Sequence, residues 1–211
     1  MKRSINLFIK RLIDLFGSLL GGIIISPILI VIALLIKLTS KGPVLFKQER
    51  LGKNGKPFRI IKFRTMVENA ESIGDGLFVK TDRDKRITKI GKILRAASLD
   101  ELPQLWNVFV GDMSLVGPRP PVPYHPHKYD EYTGFQRNRF KMRPGMTGLT
   151  QVTARNSVPW DERIIVDVEY VENFNLLLDL KILLKTVKKV FVGESIYTHT
   201  DKMGSRSADL N

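Results

Sequence analysis

Residues Leu15 to Ile36, LFGSLLGGIIISPILIVIALLI, run for 22 positions without a charge. As a straight helix the segment would be about 33 Å long, close to the apolar thickness of a bilayer. A cleaved signal peptide fits poorly, because its apolar region normally runs about 7–15 residues and no small-x-small site follows here. Two readings remain: a helix that spans the membrane, and one that enters and returns. Pro27, mid-segment, lacks a backbone donor and crowds the carbonyl four residues back, which predicts a kink. The Ser26 hydroxyl can satisfy the backbone group so freed. Cations flank both ends, with Lys2, Arg3, Lys10 and Arg11 before and Lys37, Lys41, Lys47 and Arg50 after. The positive-inside rule places both flanks in the cytoplasm. A re-entrant helix broken at Ser26-Pro27 meets both conditions and is preferred over a spanning one.

At 211 residues the chain suits one domain with room for an appendage, and is long enough to bury its own core. The chain holds 34 Lys and Arg against 21 Asp and Glu, which calls for an anionic partner: nucleic acid, an acidic membrane or a phosphorylated substrate. With no cysteine, thiolate metal sites and cysteine nucleophiles are excluded. FRIIKFRTM (58–66) reads as a strand with Lys62 and Arg64 on one face. Residues 82–97, DRDKRITKIGKILRAA, read as a helix with Ile87, Ile90 and Leu94 inward. Residues 175–191 read as an amphipathic helix, its apolar stripe formed by Leu176, Leu180, Leu183, Leu184, Val187 and Phe191. That stripe suits a core-packed helix or one lying in a membrane interface, with Lys181, Lys185 and Lys188 toward anionic headgroups. Residues 194–211 read as a polar tail. The expected architecture is mixed α and β, mainly helical: a re-entrant helix-break-helix over 1–40, a small cytosolic catalytic domain with interfacial helices over 41–193, and the tail.

The stretch SLDELPQLWNVFVGDMSLVGPRP (98–120) carries the chemistry. Ser98 and Glu101 match a capping box, but Pro103 would then fall inside the helix, at cost. A helix starting at or near Asp100 accommodates Pro103 in its first turn and puts both acids at the N-terminus. Adjacent carboxylates repel, and both stay ionised only with cations beside them. Carboxylates plus phosphate oxygens suit Mg²⁺; His125 and His127 are a weak metal signal. Arg119, between Pro118 and Pro120, sits on a stiff backbone suited to clamping phosphate, although a polyproline linker has the same composition. Together these features suggest phosphoryl transfer at a membrane surface. No P-loop is present.

The blocks KRLIDLFGSLL…SP, KFRTM, LRAASLDELPQLWNVFVGDMSLVGPRP, RPGMTGLTQVTARN and LDLKILLKTV, in this order, resemble the bacterial sugar transferase family, the small monotopic phosphoglycosyl transferases. The resemblance implies transfer of a sugar 1-phosphate from a UDP-sugar to polyprenyl (undecaprenyl) phosphate, with release of UMP, as the first membrane step of surface glycan synthesis. It implies Asp100 as nucleophile, through a phosphosugar-aspartyl intermediate, and Glu101 as Mg²⁺ ligand. Lys62, Arg64, Arg95, Arg119, Arg143, Thr147, Gln151, Arg155 and Asn156 would face phosphate or nucleotide. Ser26 and Pro27 would mark the helix break. The implied location is the cytoplasmic face of a bacterial inner membrane, with membrane lipids and downstream glycosyltransferases as partners; a homo-oligomer is compatible. In GLTQVTARN, Thr150, Thr153 and Ala154 stand where the family often has Ala, Asn and Gly, which leaves the sugar open. A nucleic-acid partner is not expected, since the basic stretches lack interleaved aromatics. The rivals are a membrane-anchored binding protein with Asp100 and Glu101 as caps, a nucleotide-sugar phosphohydrolase, and a scaffold without turnover.

Overall fold

The computed structural model describes residues 2–73, 76, 84–153 and 158–192. In chain order the elements are α1 (Lys2–Thr39), β1 (Leu45–Leu51), β2 (Pro57–Phe63), α2 (Lys89–Ala96), α3 (Gln104–Val110), β3 (Ser114–Val116), α4 (Gly134–Arg137), β4 (Gly145–Thr147), α5 (Leu149–Thr153), α6 (Trp160–Glu172) and α7 (Leu176–Val192), with short 3₁₀ turns between them. The fold is mixed and mostly helical, as expected. The expected tail, Arg155 and Asn156 lie outside the described residues.

Helix α1 is long and apolar enough to cross a membrane. Its helical backbone continues through Pro27. Pro27 leaves the Ile23 carbonyl without its usual donor, and the Ser26 hydroxyl donates to that carbonyl at 2.8 Å, which offsets part of the proline's cost. What α1 touches is more informative. Before Pro27, Arg3 donates to the Val171 carbonyl at 2.6 Å, Lys10 pairs with Asp179 at 2.6 Å, and Asp14 accepts from Ser114 and from the Leu115 amide, each at 2.9 Å. After Pro27, Ile32 and Ile36 are buried against Phe63 and Leu94. Both ends of α1 therefore dock on the same domain.

Strands β1 and β2 form an antiparallel hairpin, with Phe46 opposite Lys62, Gln48 opposite Ile60 and Arg50 opposite Phe58. Directly opposed residues share a face, so Gln48, Arg50 and Lys62 emerge on one side. The strand ends at Phe63. Arg64 lies past it and donates to the Ser40 carbonyl at 3.0 Å and the Ser40 hydroxyl at 2.7 Å, so the expected shared face of Lys62 and Arg64 does not form.

The helix expected over 82–97 begins at Lys89, with Thr88 as its cap accepting from the Gly91 amide at 3.0 Å. Residues 84–88 are not helical because Arg86 turns inward. It is buried and donates to the carbonyls of Ala70, Ile73 and Gly76 at 3.0, 2.8 and 2.6 Å. In α7 the inward face is Leu178, Asp179, Ile182, Leu183 and Thr186, while Leu180, Leu184 and Val187 are exposed together with Leu177. The expected stripe thus divides: Leu176 and Leu183 pack on the core, the other described members face outward, and Phe191 carries no side-chain description.

Strands β3 and β4 pair in parallel, Ser114 opposite Gly145 and Val116 opposite Thr147. The blocks containing LVGPRP and RPGMTG meet here, backbone against backbone. A Cβ on Gly145 would lie 2.0 Å from the Gly117 nitrogen, and one on Gly148 would lie 2.1 Å from the Gly117 oxygen. Backbone cannot yield as a side-chain tip can, so Gly145→Ala should destabilise the fold by about 3 kcal/mol. Its melting temperature, compared with that of Gly134→Ala, checks this; a Cβ at Gly134 meets nothing within 4 Å.

Candidate active site

The two acids sit neither in a capping box nor at a helix cap. Ser98 adopts a left-handed conformation (φ 56°) with no side-chain cap, and Leu99–Glu101 form a 3₁₀ turn that leads into α3. Pro103, the α3 cap, stands where its missing N–H costs nothing. A non-glycine residue at positive φ costs roughly 1–2 kcal/mol, and such strain concentrates at functional sites. Here it turns the chain sharply between α2 and the acids.

Asn107 fixes this turn against the hairpin. Its Oδ1 accepts from the Ile61 amide at 3.0 Å and its Nδ2 donates to the Arg59 carbonyl at 2.9 Å, docking α3 on β2. The neighbouring Lys62 then meets Glu101, Nζ to Oε1, at 2.6 Å, and Arg119 reaches the same oxygen at 3.6 Å. Burial raises the Asp100 carboxyl to about 6, with Lys62 opposing and the adjacent Glu101 adding to the rise. Burial acts on Glu101 in the same sense, but Lys62 and then Arg119 outweigh it and hold that carboxyl down to about 2. The acids therefore differ: Glu101 is pinned between cations, while no cation among the described residues is ion-paired with Asp100.

Arg95 faces Asp100 closely enough to lower its pKa. Arg50, which the sequence offered only as a charge flanking the membrane segment, also belongs here. It acts on Glu101, and burial followed by Arg119 lowers its own pKa to about 10. The available signal was strand alternation, which puts Arg50 on the face of Lys62. Four cations, Lys62, Arg95, Arg119 and Arg50, surround Asp100 and Glu101, with Glu71 acting on Arg50 from outside.

Lys62, Arg95, Asp100, Glu101 and Arg119 thus come together. Other expected residues are engaged elsewhere. Arg64 holds the C-terminal end of α1 through Ser40. Arg143 Nε donates to the Gly111 carbonyl at 2.7 Å, and the Thr147 hydroxyl meets that of Thr186 at 2.7 Å. The Gln151 side-chain amide is buried with neither atom hydrogen-bonded. His125 and His127 stack edge-on against Trp160 and Tyr132, and no group of three metal-ligating side chains occurs among the described residues.

The donor set fits Mg²⁺ in the manner that ion prefers, through one or two carboxylates completed by phosphate oxygens and water. Lys62 and Arg119 both approach Oε1 of Glu101, so Oε2 and the Asp100 carboxylate are the oxygens open to a cation.

The family model for bacterial sugar transferases matches residues 5–193; the chain belongs to this family. It is 44% identical over 201 residues to a UDP-glucose:undecaprenyl-phosphate glucose-1-phosphate transferase of Klebsiella pneumoniae, covering 92% of this chain and 42% of that protein. Identity is 40% over 189 residues to a UDP-N-acetylgalactosamine-undecaprenyl-phosphate N-acetylgalactosaminephosphotransferase of Aeromonas hydrophila, covering 88% of this chain and 44% of that protein. It is 43% over 191 residues to the uncharacterized sugar transferase EpsL of Bacillus subtilis, covering 90% and 91% of the two chains. The chain thus spans about two fifths of the length of the first two relatives and nearly all of the third.

Proposed function

We propose that this chain transfers a sugar 1-phosphate from a UDP-sugar to undecaprenyl phosphate, with Asp100 as the nucleophile. The observation that carries the reading is the inequality of the adjacent acids: no cation among the described residues is ion-paired with Asp100, while Glu101 is held by Lys62 and Arg119. The excess of cations over the two acids suits the negative diphosphate of a nucleotide sugar. The names of the Klebsiella and Aeromonas relatives support the donor and acceptor classes.

In the reaction, an Asp100 carboxylate oxygen attacks the sugar-bearing phosphorus. The P–O bond to the nucleotide breaks and UMP leaves with the electron pair, giving a phosphosugar-aspartyl enzyme. An oxygen of undecaprenyl phosphate then attacks the same phosphorus, and Asp100 departs as carboxylate. Arg119 and Lys62 stabilise charge on the transferring group and the leaving phosphate. Glu101 would hold Mg²⁺, which when bound would supply further neutralisation of the diphosphate.

The reaction is placed at the cytoplasmic face of a bacterial inner membrane, with α1 entering the bilayer and returning. Docking of both α1 ends on one domain supports this, since a crossing helix would separate Arg3 and its partners at Val171 from Ile36 and its partners at Phe63. The exposed Leu177, Leu180, Leu184 and Val187, beside Lys181, Lys185 and Lys188, give α7 an apolar face with cations at its edge, suited to an anionic membrane surface.

The test is UMP release by the full chain with Mg²⁺ over a panel of UDP-sugars, with and without undecaprenyl phosphate. Turnover that requires one sugar and the lipid phosphate is expected. Turnover without the lipid would instead make the protein a phosphohydrolase, and release from no donor across a panel of common UDP-sugars would count against the donor class.

A further inference from the structure

Arg119 reaches the site on the run Pro118-Arg119-Pro120-Pro121, and its side chain is 43% exposed, with Glu101 as its ion-pair partner at 3.6 Å. Packing does not aim this side chain, so its direction is inherited from its backbone. That backbone is unusual in how it can be held. Three of its four residues have no N–H, so it is anchored through what its carbonyls accept.

Each of the four carbonyls accepts one hydrogen bond. The Gly145 amide donates to Pro118 O and the Leu51 amide donates to Pro121 O, both at 2.9 Å. Between them, Arg139 Nη2 donates to Arg119 O at 3.0 Å and Arg50 Nη1 donates to Pro120 O at 3.0 Å. The two outer bonds come from backbone and the two central ones from arginine side chains. Both arginines are themselves fixed. Arg139 is 1% exposed and donates to Asp167 Oδ2 at 2.5 Å, while Asp167 Oδ1 accepts from the Thr150 hydroxyl at 2.6 Å. Arg50 donates to Gln48 Oε1, and Gln48 Nε2 donates to Glu71 Oε1 at 2.5 Å. Neither Arg50 nor Arg139 is ion-paired with Asp100 or Glu101 among the described residues. In Arg50 one guanidinium nitrogen, Nη1, holds the carbonyl while Nη2 is locked to Gln48; in Arg139 Nη2 alone bridges the Arg119 carbonyl and Asp167, and the rigid planar group fixes that nitrogen in place.

We infer that Arg50 and Arg139 are positioning residues for Arg119, fixing the direction in which its guanidinium meets the substrate phosphate by gripping the carbonyls of Arg119 and Pro120. The inference rests on the phosphoryl-transfer reading of the site. Lysine does not replace either arginine, since its shorter, flexible stem does not hold a donor at a fixed position and angle against the carbonyl.

A double-mutant cycle on the full chain in detergent tests it, with Arg50→Lys, Arg139→Lys and Arg119→Lys alone and in pairs. Two readouts are used: the single-turnover rate of UMP release, and calorimetric affinity for inorganic pyrophosphate. Arg50→Lys keeps the charge that acts on Glu101, Arg139→Lys leaves a cation beside Asp167, and melting temperatures identify any variant that does not fold. Arg50→Lys and Arg139→Lys should each slow UMP release about 10–100-fold, the range that misplacement of a catalytic group by about 1 Å produces. In the Arg119→Lys background the same substitutions should cost less than about twofold, because residues acting through one group are non-additive. Equal fold losses in both backgrounds would overturn the inference, since a structural or direct role multiplies. Pyrophosphate affinity should follow the same non-additive pattern, and its absence from wild type would also overturn it. A non-additive pyrophosphate cycle in a protein that turns over no UDP-sugar would leave the positioning role standing and reject the transferase reading.

Discussion

Asp100→Asn should lower UMP release by about 10³-fold or more while leaving the protein at least as stable as wild type. The activity loss follows from replacing the nucleophilic carboxylate with an amide, which cannot form the covalent intermediate. The stability expectation follows from the sign of the Asp100 shift. Its carboxyl is raised to about 6 from 3.8 by burial, so the folded state binds more protons than the unfolded state between those values. The stability this group contributes is fully present below about 3.8 and is lost as pH rises through about 6. At pH 7 the native state holds a desolvated anion beside Glu101, and the neutral amide relieves it. A helix-capping aspartate behaves oppositely, losing about 1 kcal/mol on substitution with little effect on chemistry. Thermal melting and UMP release, measured on the same preparation, separate the two roles.

Lys62→Met should move the pH dependence of activity as well as its size. Lys62 is the main influence holding Glu101 low and also opposes the rise at Asp100. Without it both carboxyls become harder to ionise, and the acid limb of the pH–rate profile, expected near 6 in wild type, should shift upward by about one unit or more. The rate on the alkaline plateau should fall about 100-fold, because a cation facing the transferring phosphate is lost. Glu101 keeps one ion pair among the described residues, Arg119 at 3.6 Å, and a broken, mostly buried pair should cost about 3 kcal/mol of stability. A pH–rate profile for both proteins over pH 5 to 9 checks the shift. A profile reduced in height but unmoved would mean that Lys62 does not tune the acids.

Much of this site was legible because its signals are local. The charge-free run, Pro27 and the Ser26 hydroxyl define α1, including the bond from Ser26 to the Ile23 carbonyl. The Asp100-Glu101 pair and the stiff Arg119 segment are each contained within a few residues. What escaped depends on pairing between distant segments. Arg50 enters the site through its strand register, and Arg139 through a carbonyl 20 residues upstream. Arg86 resembled one more charge on a wet helix face, yet its guanidinium holds the carbonyls of Ala70, Ile73 and Gly76 and ends the helical reading before Lys89. In α7 the apolar pattern was visible, but periodicity does not say which apolar face meets protein. Asp179, buried against Lys10, draws the inward face away from Leu180 and Leu184.

The covalent intermediate is the central claim, and intact-protein mass spectrometry addresses it most directly. Full-length wild type would be incubated with its UDP-sugar and Mg²⁺ in the absence of undecaprenyl phosphate, quenched in acid and weighed. The expected result is a mass increase of one sugar phosphate, mapped to the peptide containing Asp100, absent from Asp100→Asn and discharged when undecaprenyl phosphate is added before the quench. Turnover in the complete reaction with no such adduct, or an adduct on Asp100→Asn as well, would contradict an aspartyl intermediate at this position.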